Sequence, residues 1–307
     1  MGELSDHTKL MNIVLALSSE KIQGWPNEFW KVGYNKIYIE PNIRISFNGR
    51  DNKTSNPDIL LFSSEYKHFV IIDCKSRTLK DEQTQKYIEL KKNPKIIPAY
   101  VPISVSNPQN IISDCSFVSF YEDICNNSLV ISENIPILHV IKQNDSEIVE
   151  KIELKVGHFQ NSKLNSVFPI SINAPIPNHL YPFDIHKEDW PAFVEYVLRE
   201  LIRFAINNQK FNEEMLLKNA HKYWDYIDSD KKKSLKKRVR YILVKLRDGK
   251  LKNYLKKEKE NKENKMWFID IDSDKKLQSF ISLCYSCIEE LKKDSGKQLL
   301  LDDVYNK

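Results

Sequence analysis

"PDILLFSSEYKHFVIIDCK", residues 57 to 75, sets Pro57-Asp58 at the head of one apolar run and Asp73-Cys74-Lys75 at the tail of the next, with a polar turn between. Ile59, Leu60, Leu61 and Phe62 follow Asp58, and Val70, Ile71 and Ile72 lead into Asp73, so both runs read as buried strands. Side chains alternate along a strand, which sends Asp73 and Lys75 to one face and Cys74 to the other. Paired as a hairpin, the runs bring Asp58 beside them.

Carboxylates at the ends of buried strands are costly. Two of them about 4 Å apart repel by roughly 4 kcal/mol at an effective dielectric near 20, so a facing pair requires a cation or a proton. A hard divalent ion meets that need. Mg²⁺ suits it because it keeps several waters and takes one or two carboxylates, with Mn²⁺ able to substitute. Lys75 is then positioned to orient an attacking water or to stabilise charge building on a phosphate. The plainer reading of Asp73 and Lys75 is a same-face ion pair, worth under about 1 kcal/mol if exposed.

Proline, aspartate, a hairpin-sized gap and then Asp-x-Lys, here Pro57-Asp58 and Asp73-Cys74-Lys75, resembles the pattern of the PD-(D/E)xK nucleases, whose fold is restriction-endonuclease-like. The resemblance implies that Asp58, Asp73 and the Cys74 backbone carbonyl hold the metal and that Lys75 serves the attacking water. The next stretch, "LKDEQTQKYIELKK" at residues 79 to 92, is rich in helix formers and free of Gly and Pro. Gln83 and Tyr87, four apart, share one face of that helix. Their spacing resembles the QxxxY element of the RecB-like branch, which implies that they contact substrate or brace the site. The family also implies a further glutamate on the helix before the sheet or on its first strand. Glu20, Glu28 and Glu40 compete for that place, each also readable as a solvated carboxylate. Glu20 follows a helical stretch containing Met11, Val14 and Leu17, and Glu40 lies in "NKIYIEPNIRISF", read as a strand alternating through Ile37, Ile39, Ile43 and Ile45. The resemblance spans about residues 36 to 105 and is well matched from Pro57 to Tyr87.

The 307 residues leave room for two domains, and 41% hydrophobic with 29% charged residues describes an ordinary globular protein. No apolar run reaches the ~18 residues of a membrane span. The polar, acidic start "MGELSDHTKLMN" lacks a secretory pattern, so the expected location is cytoplasmic. Of five cysteines, Cys284 and Cys287 form a lone CxxC in a helical segment with no second pair near, which favours buried free thiols over zinc. His68, close to the hairpin turn, reads as exposed. None of the seven glycines builds a phosphate-binding GxxxxGK[ST] or a GxGxxG, and no GxSxG occurs, which disfavours nucleotide motors, dinucleotide enzymes and acyl chemistry.

After the motif helix, "KIIPAYVPISVSN" reads as a strand and "SFVSFYEDI" as a short one, and "NIPILHVIKQ" with "EIVEKIELKVGHF" as a second hairpin. Prolines then cluster at 169, 175, 177 and 182, which sets a domain boundary near residues 172 to 187. Beyond it the period is helical. One helix carries Phe193, Val194, Val197, Leu198, Leu201 and Ile202 on one face with Asp189 as N-cap. A second starts at a capping Asn212 and buries Met215, Leu216, Ala220, Tyr223 and Trp224. A third buries Leu235, Val239, Ile242, Leu243 and Leu246 and ends at Gly249. A strand pair about a Lys/Glu/Asn loop and a last helix from Leu277 to Leu291 complete a pattern that resembles a winged helix-turn-helix. Between residues 231 and 257 thirteen Lys and Arg face Asp248 alone, a net of +12, so the rest of the chain carries −7 of the overall +5. That local charge is the footprint of a nucleic-acid binder, with Lys232, Lys233, Lys236, Lys237 and Arg240 expected outward; the alternative is a plain charged surface helix.

The expectation is therefore an α/β (α+β) protein: a restriction-endonuclease-like mixed sheet flanked by helices over residues 1–175, and a mostly helical winged-helix-like domain over 176–307. Its expected activity is Mg²⁺-dependent endonucleolytic hydrolysis of phosphodiesters. The partner is DNA with RNA not excluded, no membrane is involved, and a homodimer or a larger defence complex is a candidate assembly. A role in restriction or defence against foreign DNA is an analogy from architecture. The rival readings are a non-catalytic DNA-binding regulator on a nuclease scaffold and a ribonuclease.

Overall fold

The chain divides between Tyr181 and Pro182 into two units. One takes residues 6–181 with 223–231, and the other takes 182–222, the chain from Lys232 on, and the N-terminal residues through Ser5. The computed structural model describes residues 4–47, 50–76, 79–103, 110–144, 146–185, 187–258 and 266–293.

The first unit runs α1 (Asp6–Leu17), α2 (Glu28–Lys31), β1 (Tyr34–Ile39), β2 (Ile43–Phe47), β3 (Arg50–Ser55), β4 (Ile59–Ser63), β5 (His68–Lys75), α3 (Asp81–Lys92), β6 (Ile112–Ser119), α4 (Ser128–Ser132), β7 (Ile137–Lys142), β8 (Ile148–Val156), α5 (Ser162–Asn165) and β9 (Ile170–Pro175). Its seven-stranded mixed sheet has the order β1-β4-β5-β6-β7-β8-β9, with β5, β6 and β7 parallel and the other neighbours antiparallel. Every residue of β4 is buried, and every residue of β5 but Lys75. Central strands covered on both faces need apolar residues at every position, which is why these two read as continuous runs. α3 covers one face, setting Tyr87, Ile88 and Leu90 among Leu60, Phe62, Phe69, Ile71 and Phe117. Asp81 and Glu82 in its first turn and Lys91 and Lys92 in its last suit the helix dipole. α1 is buried from Thr8 to Leu17, including Lys9, paired with Glu147, and Asn12, bonded to the Tyr181 carbonyl.

Three sequence expectations fail here for identifiable reasons. The stretch around Glu40 is two strands, because Glu40 turns at φ +50 before Pro41, and β2 leaves the sheet to pair with β3. Residues 94–99 form a 3-10 helix, since Pro94 and Pro98 cannot donate to a ladder; residues 104–107 of that expected strand lie outside the described residues. His68 is fully buried: Tyr34 pairs with Ser63 and Ser63 with His68 in one row across the sheet. Its Nε2 lies 3.1 Å from Asp114 Oδ2 and its Nδ1 2.6 Å from Tyr34 Oη, which also accepts from Asn161.

The second unit contains α6 (Trp190–Ile206), α7 (Glu213–Ala220), most of α8 (Ser229–Asp248), the antiparallel pair β10 (Leu255–Lys257) and β11 (Trp267–Ile269), and α9 (Asp274–Lys293). Phe193, Val197, Leu198, Leu235, Val239, Leu243 and Trp267 are buried, and Phe204 stacks on Phe211 at 4.6 Å. Asn212 caps α7 through Met215 N–H at 2.8 Å, yet the Met215 side chain is exposed. Asp189 does not cap α6; its carboxylate accepts the N–H groups of Ser5 and Asp184. Gly249 follows α8 without a left-handed φ; a Cβ there would stand 3.0 Å from the Lys245 carbonyl. Cys284 and Cys287 are buried free thiols. Among the described residues no helix is long and apolar enough to cross a membrane.

Candidate active site

The β4–β5 ladder ends at Ile59 opposite Ile72. One step further along that register sets Asp58 opposite Asp73, and another sets Pro57 opposite Cys74. On its other edge Asp58 accepts the Glu40 N–H at 2.9 Å, so Asp58 bonds toward β1 and the flanking residues toward β5. Cys74 therefore directs its backbone groups at Pro57, which has no N–H to offer. The Cys74 carbonyl is left out of the ladder, and its N–H goes to Asp58 Oδ2 at 2.6 Å. His7, on α1, fills the gap: its Nδ1 lies 3.1 Å from the Cys74 carbonyl and its Nε2 3.7 Å from Asp58 Oδ1. A carbonyl only accepts, so that contact places a proton on Nδ1 and leaves Nε2 facing the acid.

α3 braces the second acid. Tyr87 donates to Asp73 Oδ1 at 2.9 Å, and Gln83 Nε2 donates to Tyr87 Oη at 2.9 Å. Gln83 Oε1 accepts from Lys75 at 2.8 Å, and the Lys75 ammonium lies 2.5 Å from Asp73 Oδ2. That last contact is a charge contact, because Asp73 Oδ2 is buried without an aligned donor. Asp73, Lys75, Gln83 and Tyr87 thus form one connected group, which Asp58 adjoins through the Cys74 N–H and through the charges of Asp73 and Lys75.

Burial raises the Asp58 carboxyl well above the usual range; the charge of Asp73 and, less, of Glu40 adds to this, while the Cys74 N–H and Lys75 oppose it. Burial and then the charges of Asp73 and Asp58 likewise hold the Tyr87 hydroxyl protonated, as its donation requires. The Cys74 thiol is pushed up by burial and the same two acids, so it is no thiolate nucleophile. Glu40 is ion-paired with Lys231, in the first turn of α8, at 2.5 Å. Glu20 is exposed beyond α1, and Glu28 pairs with Lys31 at 2.7 Å; neither joins the cluster. His7 and Lys231 carried no signal in the sequence, since each comes from a distant segment at no characteristic spacing. Among the described residues no three His, Cys, Asp or Glu side chains are grouped to hold a metal. The oxygens that converge are two carboxylates and one carbonyl.

In the second unit Lys233, Lys237 and Arg240 are exposed and Lys232 and Lys236 half-buried. Two are engaged by α7: Lys236 with Glu214 at 2.6 Å and Arg240 with Glu213 at 2.8 Å. The local positive charge is thus lower than the count over residues 231–257 suggests.

Residues 186–302 match a domain of unknown function, DUF8601. A Methanocaldococcus jannaschii protein described as "Uncharacterized protein MJECL32" is 33% identical over 214 residues, which cover 66% of this chain and 47% of the relative. The chain thus spans about half the length of that relative. No solved structure matches. Residues 6–181, which hold the whole Asp58–Asp73–Lys75 cluster, match the MJECL32 domain, and the chain belongs to that family.

Proposed function

We propose that the first unit is a divalent-metal-dependent deoxyribonuclease of the PD-(D/E)xK kind on a restriction-endonuclease-like sheet, and that the second is a winged-helix-like module that holds nucleic acid. The carrying observation is that Asp58 and Asp73 each lie one residue beyond the last pair of the β4–β5 ladder, close enough that the charge of Asp73 raises the Asp58 carboxyl, which itself accepts the Cys74 N–H, beside a Cys74 carbonyl that faces His7. Two facing carboxylates and a carbonyl are hard oxygen donors, and a buried carboxyl with a raised affinity for protons is one that a cation relieves. Asp58, Asp73 and the Cys74 carbonyl would hold Mg²⁺ or Mn²⁺, with His7 Nε2 at the flank. The ion would supply charge neutralisation and polarisation of a phosphate oxygen.

The chain's own groups do the positioning. Gln83 and Tyr87 fix Asp73 in one orientation, and Gln83 with Asp73 fixes the Lys75 ammonium, whose side chain keeps 16% exposure to meet an incoming phosphate. Lys75 stabilises the charge that builds as water attacks phosphorus in line with the departing 3′ oxygen, leaving a 5′-phosphate. The basic face of α8 supplies affinity for the polyanion.

The test is incubation of the protein with plasmid, linear duplex, single strands and RNA, with and without Mg²⁺ or Mn²⁺, beside Asp73→Asn. Metal-dependent DNA cleavage lost in the variant supports the proposal. Cleavage of RNA alone would make it a ribonuclease, and binding without cleavage under any metal a regulator. Mn²⁺ titration followed by calorimetry reads the site independently of turnover.

A further inference from the structure

β5, β6 and β7 run parallel, so their carboxyl ends at Lys75, Ser119 and Lys142 lie at one edge of the sheet, where open α/β sheets take ligands. A cavity of about 470 Å³ is found there, with Leu79, Tyr121 and Ile124 as apolar lining and Ser76, Asp123 and Asn126 as polar lining. That volume falls in the range of small-molecule sites. Ser76 directly follows Lys75, and Lys75 pairs with Ser119, two residues before Tyr121. The cavity therefore begins one residue from the proposed cleavage centre.

Its chemistry points to one ligand class. Among the described lining residues the charged side chain is that of Asp123, an acceptor, which favours a group that donates hydrogen bonds. The Tyr121 side chain is presented rather than packed: the residue is 45% exposed, while its hydroxyl donates to Asp6 Oδ2 at 2.9 Å and its N–H to Ser119 Oγ at 3.0 Å. A ring fixed at both ends offers a flat stacking surface at little entropic cost. Asp6 in turn precedes His7, which contacts the Cys74 carbonyl. Asn127 also borders the cavity, but its side-chain oxygen is spent on the N–H groups of Leu129 and Val130, which leaves Asp123 and Asn126 to read a ligand.

We propose that this cavity receives one unstacked nucleobase of the strand being cut, stacked on Tyr121, with its exocyclic amino group donated to Asp123 or Asn126. The proposal rests on the nuclease reading of the adjoining site. Its consequence is selection for single-stranded or extruded nucleotides, and for adenine, cytosine or guanine over thymine, which has no amino group.

The experiment uses full-length Asp73→Asn protein with Mg²⁺ and single-stranded oligonucleotides that carry the fluorescent base 2-aminopurine at successive positions. One position is expected to change emission on binding. An abasic site or thymine there, or Tyr121→Ala in the protein, lowers affinity about tenfold, equal to about 1.4 kcal/mol, whereas Tyr121→Trp retains it. Asn126→Ala, at an exposed residue, removes the preference against thymine and keeps the test open should Tyr121→Ala melt early. Emission that is the same at every position, unchanged affinity in Tyr121→Ala, or no binding of any oligonucleotide overturns the proposal. Asp73-dependent cleavage by the unsubstituted protein with no base dependence would leave the nuclease reading standing and remove this one. Base-dependent binding without cleavage would do the reverse.

Discussion

Tyr87 donates its hydroxyl to Asp73 across 2.9 Å, from a helix to the end of the strand that carries the acid. Both groups are buried, and the same hydroxyl receives Gln83, whose other amide atom holds Lys75. One face of α3 thereby sets the orientation of the acid and of the base two residues beyond it. The residues between them need no freedom of their own.

Tyr87→Phe removes only the hydroxyl and leaves the ring in the core. A hydrogen bond to a buried carboxylate is worth about 1.5–3 kcal/mol, so the urea midpoint is expected to fall by that equivalent with the slope unchanged. Unfolding followed by tryptophan fluorescence reads it. A variant as stable as the parent would mean that Asp73 does not depend on α3.

Pro57→Ala tests why a proline precedes Asp58. An alanine N–H opposite Cys74 can complete the ladder and capture the carbonyl that His7 now faces. The new hydrogen bond, worth about 1 kcal/mol, and the added entropy of the unfolded chain, about 0.4–1 kcal/mol, offset each other, so stability stays nearly constant. Mn²⁺ affinity is expected to fall about tenfold. Calorimetric titration beside thermal unfolding separates the two; unchanged affinity would remove the Cys74 carbonyl from the proposed donors.

What was legible in the sequence is what periodicity and local chemistry encode. The unbroken apolar runs of β4 and β5 announce central strands, and the four-residue spacing of Gln83 and Tyr87 announces a shared helix face. What was not legible depends on where the chain goes in space. His7 lies 67 residues before Cys74 and reaches it only because α1 packs beside β5. The alternation through Ile37, Ile39, Ile43 and Ile45 hides the break at Glu40, because it records burial and not the φ of one residue. His68 looked exposed by its place near a turn, while the row it shares with Tyr34 and Ser63 lies inside the sheet. The acids that engage Lys236 and Arg240 sit on another helix, so a charge count along α8 could not include them.

Asp114 gives the first unit an acid-sensitive clamp away from the proposed cleavage centre. Burial alone would raise its carboxyl, but the His68 imidazole and the Gln160 donors outweigh that and hold it below the usual range. A carboxyl lowered in the folded state adds stability that is complete above its unfolded value of about 3.9. That stability is lost as pH falls through the lower folded value. Asp114→Asn is expected to cost about 1–3 kcal/mol at neutral pH and to flatten the decline of stability below about pH 4. Denaturant melts of both proteins across the acid range check this; parallel pH curves would show that Asp114 is not the titrating group.

Lys236 and Lys237 are adjacent on α8 but differ in partner, which makes the nucleic-acid reading quantitative. Lys236 is engaged by Glu214, while Lys237 is exposed on the same helix. Lys237→Glu should weaken binding to duplexes of any sequence and reduce the salt slope of log affinity by about 1. Glu214→Gln releases the Lys236 ammonium to phosphate, so affinity rises and the slope steepens by about 1. The pair is exposed, so the lost ion pair itself costs under about 1 kcal/mol of stability. Fluorescence anisotropy with a labelled duplex at several salt concentrations measures both slopes. If neither substitution moves them, α8 is a solvated charged helix and the second unit does not hold nucleic acid through it.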